Sequence, residues 1–378
     1  MRLPCGKDTT FRPYILLLLL LVLLTLSGCG FKDIDKRFFA VVLGLDAPEG
    51  DPNGVRLSLK MAIPHSEPKS GQDKFQVFTQ EARTVSEAIS MIKSKIDKEL
   101  DLGHIKVIVW GEELMKRGGL EKELDWVMRQ RDLQGIAWVG IGRPTATEVL
   151  SLRTSYERYP GNALFLSFGN TGVESKKIVS QYSFSFFRDL VEPGTNAVMP
   201  IIEAQKDHFV IDKSGIVDKK GKLVMLLTPD ETKLINFFNK KTDEMFLLVE
   251  QEHQSFSILS RDIKLKYHVL DDGEGGVRIA ARFDILGVIQ ERHDHEPITD
   301  EQLPELEKLA ERQIEQQLTK LLLKLQKNRL DPIGFGLRYR AARWDSYEQE
   351  VESWERLYPR AAFEVTAKCR LVDTGYIR

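Results

Sequence analysis

Apolar positions recur along the chain with two periods. Val55, Leu57, Leu59, Met61 and Ile63 alternate with Arg56, Ser58, Lys60 and Ala62, the two-residue period of a half-buried strand, closed by Pro64. From Val85 the period lengthens. Val85, Ile89, Ile92, Ile96 and Leu100 form one helical stripe, opened by Thr84-Val85-Ser86-Glu87 with the spacing of a capping box. Residues 105–110 are a short, nearly continuous apolar run, the pattern of a strand central in a sheet. A helix over 120–129, a strand over 136–141 and a helix opened by Thr145-Ala146-Thr147-Glu148 follow. Such alternation predicts an α/β unit ending near Leu152.

Residues 153–205 read as a connecting region, broken by Tyr159-Pro160-Gly161 and Glu192-Pro193-Gly194. Phe184, Phe186, Phe187 and Leu190 mark a short helix within it. A second unit starts near residue 206. It has strands around a Lys219-Lys220-Gly221-Lys222 turn and a helix opened by Thr228-Pro229-Asp230-Glu231, with proline at the first helical position. Alternation returns over 246–249, 258–269 and 277–285, the last two runs joined by a polar, glycine-rich hairpin loop. A long helix over 299–327 carries the stripe Leu306, Leu309, Ile314, Leu318, Leu321, Leu325. A short helix over 347–357 and a strand over 363–371 close the chain. The predicted fold class is mixed α/β (α+β), with two or three domains, each a sheet with packed helices. The expected divisions are a leader over 1–28, an N-terminal α/β domain with its connecting region over 29–205, and a C-terminal mixed α/β domain over 206–378.

The first residues read as an address. Arg2, Lys7 and Arg12 precede an apolar core over 14–26. As a helix this core spans about 20 Å, short of the roughly 30 Å needed to cross a bilayer, as in a secretory signal. It ends in Leu26-Ser27-Gly28-Cys29, which resembles the bacterial lipobox: an aliphatic residue, two small residues and the cysteine that receives diacylglycerol. Cys29 is therefore the expected lipidation site. Two acyl chains would hold the body permanently on the outer side of a membrane.

Composition narrows the function classes. With 42% apolar and 29% charged residues the chain is ordinary globular protein, which excludes a disordered, collagen-like or multi-span membrane chain. Lys+Arg 54 against Asp+Glu 56 leaves no concentrated basic charge for a general nucleic-acid binder. Of three cysteines, Cys5 lies in the leader and Cys29 is the lipid acceptor, so Cys369 stands alone and no disulfide framework is available. Its place in the alternating run Phe363, Val365, Ala367, Cys369, Leu371 is that of a small packed apolar group.

A search for chemistry finds no P-loop, dinucleotide fingerprint, zinc-protease helix or nucleophile elbow. Ser90 and Lys93 have serine–lysine spacing but fall on a solvated helix face. His293-Asp294-His295-Glu296 is the best metal-like cluster, yet adjacent ligands in one loop rarely close a tetrahedral site, and no second cluster joins them. His104, opening a strand, reads as structural. Asp271, Asp272 and Glu274 lack EF-hand spacing and read as a solvated turn. No catalytic residue, metal site or cofactor is expected, and the chain reads as a non-enzyme.

Several segments together resemble the Ger(x)C family, the lipoprotein C subunits of nutrient germinant receptors in endospore-forming bacteria. They are the lipobox with Leu43-Gly44-Leu45-Asp46, the run Gly103-His104-Ile105-Lys106-Val107-Ile108-Val109-Trp110-Gly111-Glu112, and Leu124-Asp125-Trp126. The stretch from Gly215 to Leu227, Asp331 with Gly334-Phe335-Gly336, and Trp344 complete the set. At the tether Gly30-Phe31-Lys32 departs from the Trp-Asp-type pair of many members. The resemblance implies a receptor subunit on the outer face of the spore inner membrane, acting with multi-spanning A and B subunits and with no catalytic residues to transfer. The alternatives are an extracytoplasmic solute-binding lipoprotein feeding a transporter and a lipid-anchored enzyme.

Overall fold

A computed structural model describes residues 36–62, 75–133, 135–154, 162–168, 179–238, 246–251, 254–292, 299 and 301–373. Cys29 and the His293–Glu296 cluster lie outside them. Two sheets organise these residues. The first contains β1 (Arg37–Asp46), β2 (Val55–Ala62), β3 (Phe75–Ala82), β4 (Glu99–Asp101), β5 (Val107–Gly111), β6 (Trp138–Arg143), β7 (Ala197–Gln205), β8 (His208–Val217) and β9 (Leu223–Leu227). Its order is β3-β2-β1-β5-β6-β7-β8-β9, with β4 also on β1. Strands β1, β5, β6 and β7 are parallel, and antiparallel hairpins flank them on both sides.

Helices cover both faces of this sheet. On one lie α1 (Val85–Lys93), α2 (Glu112–Arg117), α3 (Glu121–Arg129) and α6 (Ser183–Val191), burying Ile89, Ile92, Leu114, Met115, Leu124 and Phe186 against Leu43, Leu45, Ile108 and Trp110. On the other, α4 (Ala146–Ser151) and α5 (Asn162–Phe168) bury Val149, Leu150, Leu164 and Phe168 against Val42, Val107 and Val109. The parallel strands are covered twice, which is why 105–110 reads as a nearly continuous apolar run.

The second sheet, in the order β10 (Phe246–Gln251), β11 (Gln254–Asp271), β12 (Val277–Arg292), β13 (Ala362–Asp373), packs with α7 (Pro229–Phe238) and α8 (Leu303–Lys327) around Phe256, Ile279, Phe283, Ile314, Leu318 and Leu325. Between α8 and β13 come α9 (Phe335–Arg340) and α10 (Tyr347–Leu357). The mixed α/β class, with two sheets and packed helices, is what the structure shows.

Three expectations need correction. The helix expected over 85–100 stops at Lys93, and Leu100 belongs to β4. Ile96 and Leu100 still pack on the core that α1 buries, so the apolar spacing continues after the helix ends. The strand expected from Ile136 starts at Trp138 and leaves Ile136 exposed. Finally, the region read as a connection over 153–205 contains a full strand, β7, which Pro200 disguises. The expected division at residues 205 and 206 falls at the turn of the β7–β8 hairpin, where Lys206 has φ 43°.

Candidate functional site

Two segments far apart in sequence meet where the sheets join. One is Glu192-Pro193-Gly194-Thr195-Asn196, leading into β7. The other is Asp331-Pro332-Ile333-Gly334-Phe335-Gly336, opening α9. Asp331 is 4% exposed, and its carboxylate accepts the backbone N–H groups of Gly334, Phe335 and Gly336 at 2.9, 3.0 and 2.8 Å. These are first-turn donors without helical partners, and the carboxylate satisfies them.

Asp331 and Asn196 then pair like neighbouring strand residues. The N–H of Asn196 donates to the carbonyl of Asp331 at 2.9 Å, and the N–H of Asp331 donates to Asn196 Oδ1 at 2.8 Å. Arg340 of α9 reaches back to Glu192 Oε1 at 2.7 Å and to the Pro193 carbonyl at 3.0 Å. Lys219, on the β8–β9 turn, donates to the carbonyls of Asp189 and Glu192. Residue 219 as a whole is exposed, but desolvation of its ammonium lowers its pKa.

The backbones touch at two glycines. Gly194 has φ 82°, and a Cβ there would lie 2.9 Å from the carbonyl carbon of Gly336. A Cβ on Gly336 would lie 2.5 Å from Gly194 Cα and 2.4 Å from Trp354 Nε1. Phe335, between these contacts, inserts edge-on against Phe238 and Tyr267 in the core of the second sheet, with ring centroids 5.8 and 5.4 Å apart. The junction thus fastens the start of β7 to the aromatic core below α9. Burial pushes the Asp331 carboxyl up to about 6, although backbone donors from Gly336, Phe335, Gly334 and Ile333 oppose the shift.

A second polar cluster occupies the C-terminal ends of the parallel strands, where open α/β sheets hold ligands. Here the protein's own groups fill that place. Arg143 forms a bidentate pair with Glu112, both bonds at 2.7 Å, and reaches Glu203 at 3.0 Å, which Lys213 also meets at 3.1 Å. The Arg143 guanidinium holds the Glu112 carboxyl below its usual range. Burial pushes Glu203 up, but Lys213 and Arg143 outweigh it and the net shift is downward. Beside them, Asp46 accepts the N–H groups of Ala146 and Thr147 at 2.7 and 2.8 Å. A Cβ on Gly111 would lie 2.0 Å from Asp46 Oδ1. Charges matched this closely serve structure.

The other candidates separate. His104 is largely exposed, edge-on to Phe39 with ring centroids 4.6 Å apart. Asp272 accepts the N–H groups of Glu274 and Gly276 at 2.9 and 2.7 Å, which fixes the hairpin turn and lowers its pKa. Ser90 and Lys93 are exposed on α1, and Cys369 is buried. Among the described residues, no group of three His, Cys, Asp or Glu side chains is arranged to hold a metal ion. No described helix is long and apolar enough to cross a membrane. Sequence reading missed Asn196 and Arg340, because nothing local links them to partners more than a hundred residues away.

Comparison with known proteins decides the family. Residues 30–204 match the spore germination protein N-terminal domain, and residues 212–375 match the spore germination B3/GerAC-like C-terminal domain. The chain belongs to the GerAC-like spore germination family. Among members of this family, spore germination protein B3 of Bacillus subtilis (strain 168) is 22% identical, over 94% of this chain and 96% of its own. Spore germination protein KC of the same organism is also 22% identical, over 95% of each chain. The crystal structure of the GerBC protein aligns with a TM-score of 0.59 at 17% identity, covering 90% of this chain and 100% of that one. That likeness is one of fold. Four junction residues, Asp331, Gly334, Phe335 and Gly336, lie in a segment that carries the sequence resemblance, and Lys219 lies in another.

Proposed function

We propose that this chain is the lipid-anchored C subunit of a spore nutrient germinant receptor. It sits on the outer face of the spore inner membrane through Cys29 and works through multi-spanning A and B partner subunits. The observation that carries this reading is the match of both family domains, in order, over residues 30–375, with relatives matched over nearly their full length. The junction at Gly194 and Gly336 supports it, because a non-enzymatic subunit that passes a signal needs its two parts mechanically joined. A membrane anchor raises the effective concentration of the body for partners in the same membrane, so a modest contact surface suffices.

The test has two arms. Deleting the protein is expected to abolish the nutrient response of spores while leaving germination triggered downstream of the receptor intact. Mass spectrometry of the membrane-extracted protein is expected to find diacylglycerol on Cys29 as the mature N-terminus. Spores that respond normally to nutrients without the protein would overturn the receptor reading. An unmodified peptide spanning Ser27 to Lys32 would overturn the anchor.

A further inference from the structure

Exposed large apolar side chains gather on one border of the first sheet. Ile136, Phe184 and Val191 are 57%, 47% and 61% exposed. Phe184, Phe187 and Val191, spaced i, i+3 and i+7, share one side of α6. Phe186 and Leu190 of the same helix are buried in the core, so α6 is apolar on two sides and only one is fully covered. Phe184 is held in place: its ring stacks on Tyr182, which stacks on Trp138, with centroids 5.8 and 3.8 Å apart. Its N–H donates to the carbonyl of Gly135 at 3.0 Å, which sets Ile136 beside it.

This border lies at the end of the sheet where β1 begins. Both ends of α6 join the starts of parallel strands: Ser183 and Phe184 bond the residues just ahead of β6, and residues 192–196 lead from Val191 into β7. In register, Val42 of β1 lies level with Val107, and Val107 with Trp138, so Phe38 to Val41 project at the same end. Cys29 is nine residues ahead of Phe38, a span of at most about 32 Å. Cations stand here too. Lys219, by donating to the carbonyls of Asp189 and Glu192, brings the β8–β9 turn against the end of α6, where Lys220 and Lys222 are exposed. The carboxylates around them are engaged. Asp218 accepts the N–H groups of Lys220 and Lys222, Asp189 the side chains of Gln181 and Arg188, and Glu192 that of Arg340. Arg131 and Asp132, both exposed ahead of Ile136, balance each other. Apolar side chains edged by lysines match a phospholipid surface, where rings and aliphatic groups enter the headgroup boundary and ammonium groups meet phosphate.

We propose that this end of the sheet docks on an anionic bilayer, with Ile136, Phe184 and Val191 in the interface and Lys220 and Lys222 on lipid phosphates. Given the Cys29 anchor proposed above, on which this rests, it is the face that the body turns to its membrane. The mature protein, extracted from membranes, would be reconstituted in vesicles of equimolar phosphatidylglycerol and phosphatidylcholine and recovered by flotation. A fluorescent maleimide would label single cysteines introduced by Ile136→Cys or Val191→Cys, or by Asp207→Cys in the exposed β7–β8 turn at the opposite end. Native Cys369 is buried. Quenching by nitroxide-bearing lipid is expected to be about fivefold stronger at 136 and 191 than at 207. Lys220→Gln/Lys222→Gln is expected to weaken docking about tenfold, read as quenching lost at 191 and unchanged at 207. Labels at 136 and 191 quenched no more than at 207, in protein that floats with the vesicles, would overturn the docking face and leave the anchor standing. Protein that does not float would overturn the anchor and the docking face together. Labels shielded from water but not quenched by lipid would mark a seat for another protein and overturn the proposal. So would undiminished quenching in the lysine double variant.

Discussion

Gly194 and Gly336 are needed for what they lack. With their alpha carbons against each other's backbone, a methyl on either must push main chain, and at Gly336 the buried Trp354 indole as well. Gly194→Ala also carries the penalty of φ 82°. Each substitution is expected to cost about 1–3 kcal/mol in urea unfolding. Gly273→Ala, at φ 83° with open space around it, should cost about 1 kcal/mol or less from conformation alone. Equal losses at 194 and 273 would show that the close approach carries no strain.

Asp331 offers a titration at the same place. Its folded carboxyl, at about 6, lies above its unfolded value of about 4, so the folded chain holds a proton that the unfolded chain has released. The sign follows: this contribution to stability is fully present below about pH 4, declines as pH rises, and is lost above about pH 6. Two pKa units correspond to at most about 3 kcal/mol. Asp331→Asn should flatten the pH dependence of unfolding free energy across that window, measured by urea titration at intervals from pH 4 to pH 7. An unchanged slope would remove Asp331 as its source.

At the scale of elements, α8 does more than cover the second sheet. Glu307, Glu311 and Glu315 accept the backbone N–H groups of Leu371, Cys369 and Ala367 along the free edge of β13, at 2.8, 2.9 and 2.8 Å. Four helical residues advance about 6 Å and two strand residues about 6.6 Å, so a carboxylate every turn keeps step with an N–H every second residue. At the other edge, Gln313 acts as a single strand residue: its amide donates to the Leu248 carbonyl at 2.6 Å and accepts the Glu250 N–H at 3.0 Å. One helix thus closes both edges, which would otherwise invite pairing with another chain. Glu311→Ala is expected to cost about 1–3 kcal/mol by orphaning the Cys369 N–H, while Glu311→Gln, which keeps an acceptor, costs less. Burial with Glu307 and Glu311 pushes the Cys369 thiol up to about 12, so it should resist alkylation in the native protein and react faster in Glu311→Ala. Equal rates in all three proteins would show that the ladder does not hold β13.

The elements legible in the sequence are those whose pattern closes on itself. The helix at Tyr347–Leu357 runs over the residues its periodicity marks, because Ser346 and Gln349 form a full capping box. Thr84, Thr145 and Thr228 also accept from the third residue of the helices they open. Strand β7 was hidden because its apolar run contains Pro200, and proline reads as a breaker although its residue sits in a paired strand. The glutamates of α8 lie outside the apolar stripe that marks the helix, and nothing in the sequence ties them to a strand. Their hydrogen bonds depend on where β13 lies, which no local period carries.

The whole molecule turns on β7 and β8, since they serve two cores. Met199, Ile201 and Val217 pack into the core beneath α1, α2 and α6, while Val198 and Ile216 pack into the core of the second sheet with Ile235, Phe283 and Leu318. The alternation of a single hairpin therefore places neighbouring residues in both halves, and the junction at Gly194, Asn196 and Asp331 pins that hairpin at one end. This arrangement was out of reach of the sequence, because Asn196 and Asp331 are 135 residues apart and each is unremarkable alone. Cores that share strands should melt together. We expect urea unfolding followed by tryptophan fluorescence, which reports Trp110 and Trp138 in the first half and Trp354 in the second, to coincide with unfolding followed by far-ultraviolet circular dichroism. Arg340→Ala, which removes the Glu192 pair and leaves the Pro193 carbonyl without that donor, should lower the common midpoint without splitting it. Two separated transitions in the unmodified protein would mean that the halves are independent and that the shared hairpin is not what couples them.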